Sequence, residues 1–120
     1  CGIAAYSQYN QLTAFAPEIK GLWEMVPIPG TIQSDGNINN ISVGGGSYMM
    51  LMQSSCKKEL AWEFMKWYMS SEIQSQYAIK MESVLGNCAK VNSANVEALS
   101  KMTWSSKEYK NLFSQLQNFL

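Results

Sequence analysis

Apolar positions form three short runs, then a succession of helical stripes. Gly2-Ile3-Ala4-Ala5-Tyr6 reads as a short buried strand. Ser7 is placed to cap a helix that carries Tyr9, Leu12, Phe15 and Ala16 on one face, and Pro17 closes it. Residues 22–28 form a second apolar run, and Pro27 and Pro29 confine its end to an edge or a loop. Strand, helix and strand predict one parallel β-α-β unit. Residues 30–42 are polar, and Asp35-Gly36 is a strong turn signal compatible with either a hairpin or a surface excursion. After Gly44-Gly45-Gly46 comes Tyr48-Met49-Met50-Leu51-Met52, which reads as a strand buried on both faces.

The remainder reads as helical. Ser54 or Ser55 can cap a helix with Leu60, Ala61, Phe64 and Tyr68 inward and Lys58, Glu59, Glu63 and Lys66 in solvent. Ser70 can cap the next helix, with Ile73, Tyr77 and Met81 inward and Gly86 at its end. Ser93 opens a short helix with Val96, Leu99 and Met102. Ser105-Ser106-Lys107-Glu108 is a capping box, opening a helix with Tyr109, Leu112, Phe113, Leu116, Phe119 and Leu120 on one stripe. Trp104 stands where a hydrophobic staple would, and Trp23, Trp62 and Trp67 are expected to be packing residues.

Composition narrows the function classes. The 120 residues are 47% apolar and 15% charged, the profile of a folded domain. Lys plus Arg equals Asp plus Glu at 9 each, so no basic stripe points to nucleic acid. The chain has no His, which removes Ser-His-Asp and Cys-His catalysis from its own residues. Cys1, Cys56 and Cys88 are far apart and odd in number, so neither a zinc motif nor a full disulfide framework is expected. Glu59, Glu63 and Glu72 are scattered, with no acid/base pairing, and Asp35 is a turn residue. The expectation is a non-enzymatic protein without metal or cofactor. Cys1 is followed by an apolar run, not by a polar tether, and reads as an internal residue of a longer protein.

Three stretches carry a resemblance. They are Ala16-Pro17-Glu18-Ile19-Lys20-Gly21-Leu22-Trp23 running into Val26-Pro27-Ile28-Pro29-Gly30-Thr31, then Gly44-Gly45-Gly46-Ser47, then residues 58–68 (KELAWEFMKWY) followed by Ser71-Glu72-Ile73-Gln74. In this order they resemble family 1 extracellular solute-binding proteins, the sugar-capturing components of ABC importers. The resemblance implies an α/β, helix-rich section of a two-lobed periplasmic-binding-protein type II fold. Residues 1–43 would belong to one lobe, residues 44–47 to a hinge crossing, and residues 48–120 to the other lobe, with a return of the last helix to the first lobe as the alternative. Few contacts are then expected between residues 1–40 and 48–100. The implied partners are a carbohydrate and an ABC permease. The implied setting is extracellular, as a cell-surface lipoprotein or periplasmic protein anchored, if at all, by a lipid outside this stretch.

The expected ligand residues are Tyr6, Ser7, Gly44, Gly45, Gly46 and Ser47. Tyr6 and Ser7 fall at the end of the first expected strand, where open α/β sheets bind ligands. The resemblance places a sugar-stacking aromatic near Tyr6, and places ligand contacts and the crossing at residues 44–47. Glycines there let backbone N–H groups approach a ligand closely. No Lys-Ser or Lys-Thr follows them, so they are not a phosphate loop. The competing reading is a helical protein–protein interaction domain presenting its Met and Trp side chains.

Overall fold

The computed structural model describes residues 1–118, so Phe119 and Leu120 of the expected last stripe lie outside the described residues. The element order is α1 (Ser7–Phe15), a 3-10 turn (Pro17–Ile19), β1 (Thr31–Ile32), β2 (Ile38–Asn39), α2 (Lys58–Tyr68), α3 (Ser71–Leu85), a second 3-10 turn (Asn87–Ala89), α4 (Val96–Lys101) and α5 (Ser106–Leu116).

Where termini are set by local chemistry, expectation and structure agree. Ser70 Oγ accepts from the N–H of Ile73 at 3.4 Å and caps α3. Gly86 ends α3 at φ 79, a left-handed conformation that costs glycine nothing. Ser105 and Glu108 form the reciprocal capping box of α5. Trp104 and Tyr109, the two staple positions, both pack against the core. Asp35-Gly36 makes a hairpin turn: Asp35 Oδ1 accepts from the N–H of Asn37 at 3.0 Å, and Gly36 sits at φ 81. Three caps differ. α1 begins at Ser7 itself, with Tyr6 before it and no side-chain cap. α2 follows Lys57, whose N–H donates to Ser55 Oγ at 3.4 Å. The cap of α4 is Asn95, accepting from the N–H of Ala98, while Ser93 Oγ accepts from the N–H of Asn95 one step earlier.

The strands differ most. No strand is present at residues 2–6, 22–28 or 48–52, and no parallel β-α-β unit forms among the described residues. The only ladder there is antiparallel, pairing Thr31 with Asn39 and Ile32 with Ile38. An apolar run becomes a strand only when a neighbour accepts its backbone hydrogen bonds, and none lies beside these runs. Residues 48–52, expected to be buried on both faces, are exposed, with Met50 at 83%.

The core is Ala78, Ala98, Leu99, Met102 and Leu112, with Tyr6, Met25, Val91, Trp104, Tyr109 and Leu116 packed around it. α3, α4 and α5 supply the centre. Tyr6 and Met25 bring the amino-terminal segment onto it. The expected scarcity of contacts between residues 1–40 and 48–100 therefore fails near residue 90, where α1 rests on the Asn87–Ala89 turn. Ile3 and Phe64, by contrast, are exposed and share no core.

The inward faces of α2 and α3 are rotated from those expected. On α3 the buried residues are Ser75 and Ala78, while Tyr77 is exposed. On α2, Ala61, Met65 and Tyr68 are half-buried, but Leu60, Phe64, Trp62 and Trp67 are exposed. Among the described elements α2 packs on α3 alone, and α2 is apolar on more than one face, so one neighbour cannot cover it. The accessible surface is 9088 Å², against roughly 6,500 Å² for a compact monomer of this mass. The radius of gyration is 17.2 Å, against about 14 Å for a compact chain of this length.

Candidate functional site

Tyr6 stands immediately before α1, half-buried. Its hydroxyl donates to the carbonyl of Lys90 at 2.9 Å, and its ring meets Trp104 edge-on with centroids 5.9 Å apart. Burial, with the nearby Tyr9 and Glu108, holds its phenol protonated far above the usual range. Ser7 is exposed on the first turn of α1. Residues 44–47 lie in an irregular exposed stretch between β2 and α2, with Gly44 half-buried. Nearby, Ser42 is tied to α5 and the residues just after it: its N–H donates to the carbonyl of Asn118 at 2.9 Å, and Gln115 Nε2 donates to its Oγ at 2.9 Å. Among the described residues, no hydrogen bond joins Tyr6 or Ser7 to residues 44–47.

The structure instead gathers polar and aromatic groups where α1 meets the start of α5. Tyr9 stacks on Tyr6 at 6.0 Å and meets both Trp23 (5.4 Å, 76°) and Trp104 (5.6 Å, 69°) edge-on. Its hydroxyl donates to Glu108 Oε1 at 2.8 Å. Burial and that hydrogen bond push the Tyr9 phenol far above its usual range. Burial alone would raise the Glu108 carboxyl. Hydrogen bonds from Ser105 and Tyr9, and the positive charge of Lys90, outweigh it and hold Glu108 below the ordinary carboxylate range. Lys90 Nζ lies 4.6 Å from the Trp104 ring centre, donates to the carbonyl of Thr103 at 2.5 Å and sits 3.8 Å from Glu82 Oε1. Its charge is thus used within the fold.

Beside this cluster opens a cleft of about 680 Å³, lined among others by Tyr9, Thr13, Trp23, Cys88, Glu108 and Asn111. Asn111 Nδ2 donates to the carbonyl of Met25 at 2.8 Å, which ties α5 to the Met25 segment within the lining. Lys107 pairs with Glu24 at the rim. Sequence reasoning assigned Tyr9 and Trp23 to packing and missed the cleft. It arises from residues about 100 positions apart, such as Tyr9 and Glu108, with |i−j| of 99, and no local pattern marks such a pair. A second, shallow hollow lies along the exposed face of α2 at Leu60, Phe64 and Trp67. No family model, curated protein or solved structure matches the chain.

Proposed function

We propose that the chain is part of an extracellular solute-binding protein that captures a sugar or oligosaccharide for an ABC importer, and that it is not an enzyme. The observation that carries this reading is the ordered succession of its three signature stretches, from Ala16-Pro17-Glu18 through Gly44-Gly45-Gly46-Ser47 to residues 58–68. The uncovered surface supports it: an excess of roughly 2,600 Å² over a compact monomer is well above the roughly 800 Å² that one partner buries in a standard interface. A second lobe would use such surface. Sugar contacts made from both lobes would stabilise the closed form over the open one, and the permease would read that difference. Tyr6, Ser7 and residues 44–47 remain the proposed contacts on this reading, at a cell surface or in a periplasm.

Titrating the intrinsic tryptophan fluorescence of the full-length protein with a panel of oligosaccharides tests the proposal. A saturable change with one sugar class is expected. A flat response across the panel sinks it.

The exposed Leu60, Phe64 and Trp67 on α2 favour a second reading, a helical interaction domain without a small-molecule ligand. That reading expects concentration-dependent association by light scattering and no sugar response.

A further inference from the structure

We propose that the cleft between α1 and the start of α5, separate from Tyr6, Ser7 and residues 44–47, is a subsite for a neutral saccharide. The proposal rests on the carbohydrate-binding reading above and gives it a location that reading did not contain. The volume, about 680 Å³, lies within the roughly 300–1,000 Å³ usual for small-molecule sites.

The chemistry of the walls selects the ligand class. Tyr9 and Trp23 both line the cleft, and their rings stand at 76° to one another with centroids 5.4 Å apart. The pair packs edge-on, and the aromatic surface it contributes to the cleft lining is an apolar wall that suits the C–H face of a pyranose ring. Hydrogen-bonding groups line the same cleft. Glu108 is held ionised and accepts only; Ser105 and Tyr9 already occupy three of its roughly four lone-pair sites, which leaves one for a sugar hydroxyl. Asn111 uses one of its two side-chain N–H donors on Met25, which leaves the other donor and the side-chain oxygen for a ligand.

Charge then decides between a neutral and an ionic ligand. The charged groups lining the cleft are Lys20, Glu24, Lys107 and Glu108, two of each sign, and Lys107 is already paired with Glu24. A phosphate or carboxylate ligand would need a surplus of cations, and a cationic ligand a surplus of anions. Neither is present, so the cleft favours an uncharged polyhydroxylated ring.

The test follows the indole N–H signals of Trp23, Trp62, Trp67 and Trp104 in the full-length protein by two-dimensional NMR. Maltose, cellobiose and xylobiose are added, with glucuronic acid and glucose 1-phosphate as charged controls. We expect one neutral sugar to shift the Trp23 indole and the Asn111 side-chain amide saturably, while Trp62 and Trp67 stay still. Trp23→Ala then weakens binding about tenfold or more, and Trp23→Phe retains most of it. The mapping on the unaltered protein needs no destabilised variant. If a sugar binds but shifts only residues 44–47 and the surroundings of Tyr6, the cleft is overturned and the transport reading stands. If only the charged controls move Trp23, the neutral class is overturned. If no compound moves any signal, the cleft falls together with the carbohydrate reading.

Discussion

The hydroxyl of Tyr6 donates a 2.9 Å hydrogen bond to the carbonyl of Lys90, 84 residues later in the chain. Asn10 Nδ2 donates to the same oxygen at 3.0 Å. Both lone pairs of one carbonyl are thereby used to hold α1 against the turn that follows α3. The Lys90 side chain continues the link to Trp104 and Glu82. The aromatic residue expected to meet a sugar is thus also a structural tie.

Tyr6→Phe separates the two roles. It keeps the ring and removes only the hydroxyl. The Lys90 carbonyl retains Asn10, so no acceptor is stranded, and the loss should be a modest ~0.5–1.5 kcal/mol of stability. Urea denaturation checks this. Sugar affinity should be unchanged in Tyr6→Phe but reduced in Tyr6→Ala if the ring stacks on ligand. An affinity unchanged in both variants would leave Tyr6 a tie and nothing more.

The features legible in the sequence were those whose partners lie within a few residues. Ser70, Ser105 with Glu108, Gly86 and Asp35-Gly36 each satisfy or bend backbone within one turn, and all stand where the pattern put them. Long-range pairing was not legible. Whether residues 22–28 form a strand depends on a neighbour that the run itself does not encode. Instead Ile28 donates its N–H to Gln115 Oε1 at 2.7 Å, and the Met25 carbonyl accepts from Asn111. Side chains of α5 thus take two of the roles a neighbouring strand would fill. Trp62 and Trp67 misled for a related reason: an apolar residue on a helix is buried only if another element arrives to cover it.

Glu108 joins two functions in one carboxylate. Oε2 accepts from the N–H and Oγ of Ser105 at 3.0 and 2.7 Å, while Oε1 accepts from Tyr9. Because its folded-state pKa lies below the unfolded value, its stabilisation is fully present above about pH 4.3 and is lost as pH falls through the folded value. Ser105→Ala should cost about 0.5–2 kcal/mol at neutral pH. Glu108→Gln should lower neutral-pH stability and flatten the acid limb of the stability curve. Denaturant midpoints from pH 7 down to pH 3 measure both. An acid limb identical to that of the unaltered protein would show that other carboxylates carry it.

Leu99 is fully buried, at 0% exposure, at the junction of α3, α4 and α5. Leu99→Ala removes contacts on all sides and leaves a cavity, so a loss of about 2–5 kcal/mol is expected. The core is small, and a loss of that size is a large fraction of what such a domain holds. Loss of the thermal transition, or a midpoint lowered by many degrees, would agree with it. A change below about 1 kcal/mol would mean that the site collapses around the smaller side chain.

The glycine run gives the sharpest test of lobe motion. Positive φ occurs at Gly21, Gly36 and Gly86, so no glycine of residues 44–46 needs the left-handed region in this conformation. A Cβ added at Gly45 would meet nothing within 4 Å, and one at Gly46 would meet only the Tyr48 ring hydroxyl at 3.6 Å, an ordinary contact. Gly45→Ala with Gly46→Ala should therefore fit the present backbone. By narrowing the unfolded ensemble, it should leave stability unchanged or raise it by about 0.4–1 kcal/mol per site. Two glycines that alanine could replace in one conformation fit a segment that must adopt another. A hinge crossing would then be impaired by substitutions that stability does not register, because alanine restricts the φ and ψ changes that closure demands. Small-angle scattering of the full-length protein with and without sugar reads this directly. The double variant should hold its melting temperature yet show a smaller contraction on binding and weaker affinity. Contraction and affinity equal to those of the unaltered protein would remove residues 44–47 from the hinge, and leave the run as a surface loop between β2 and α2.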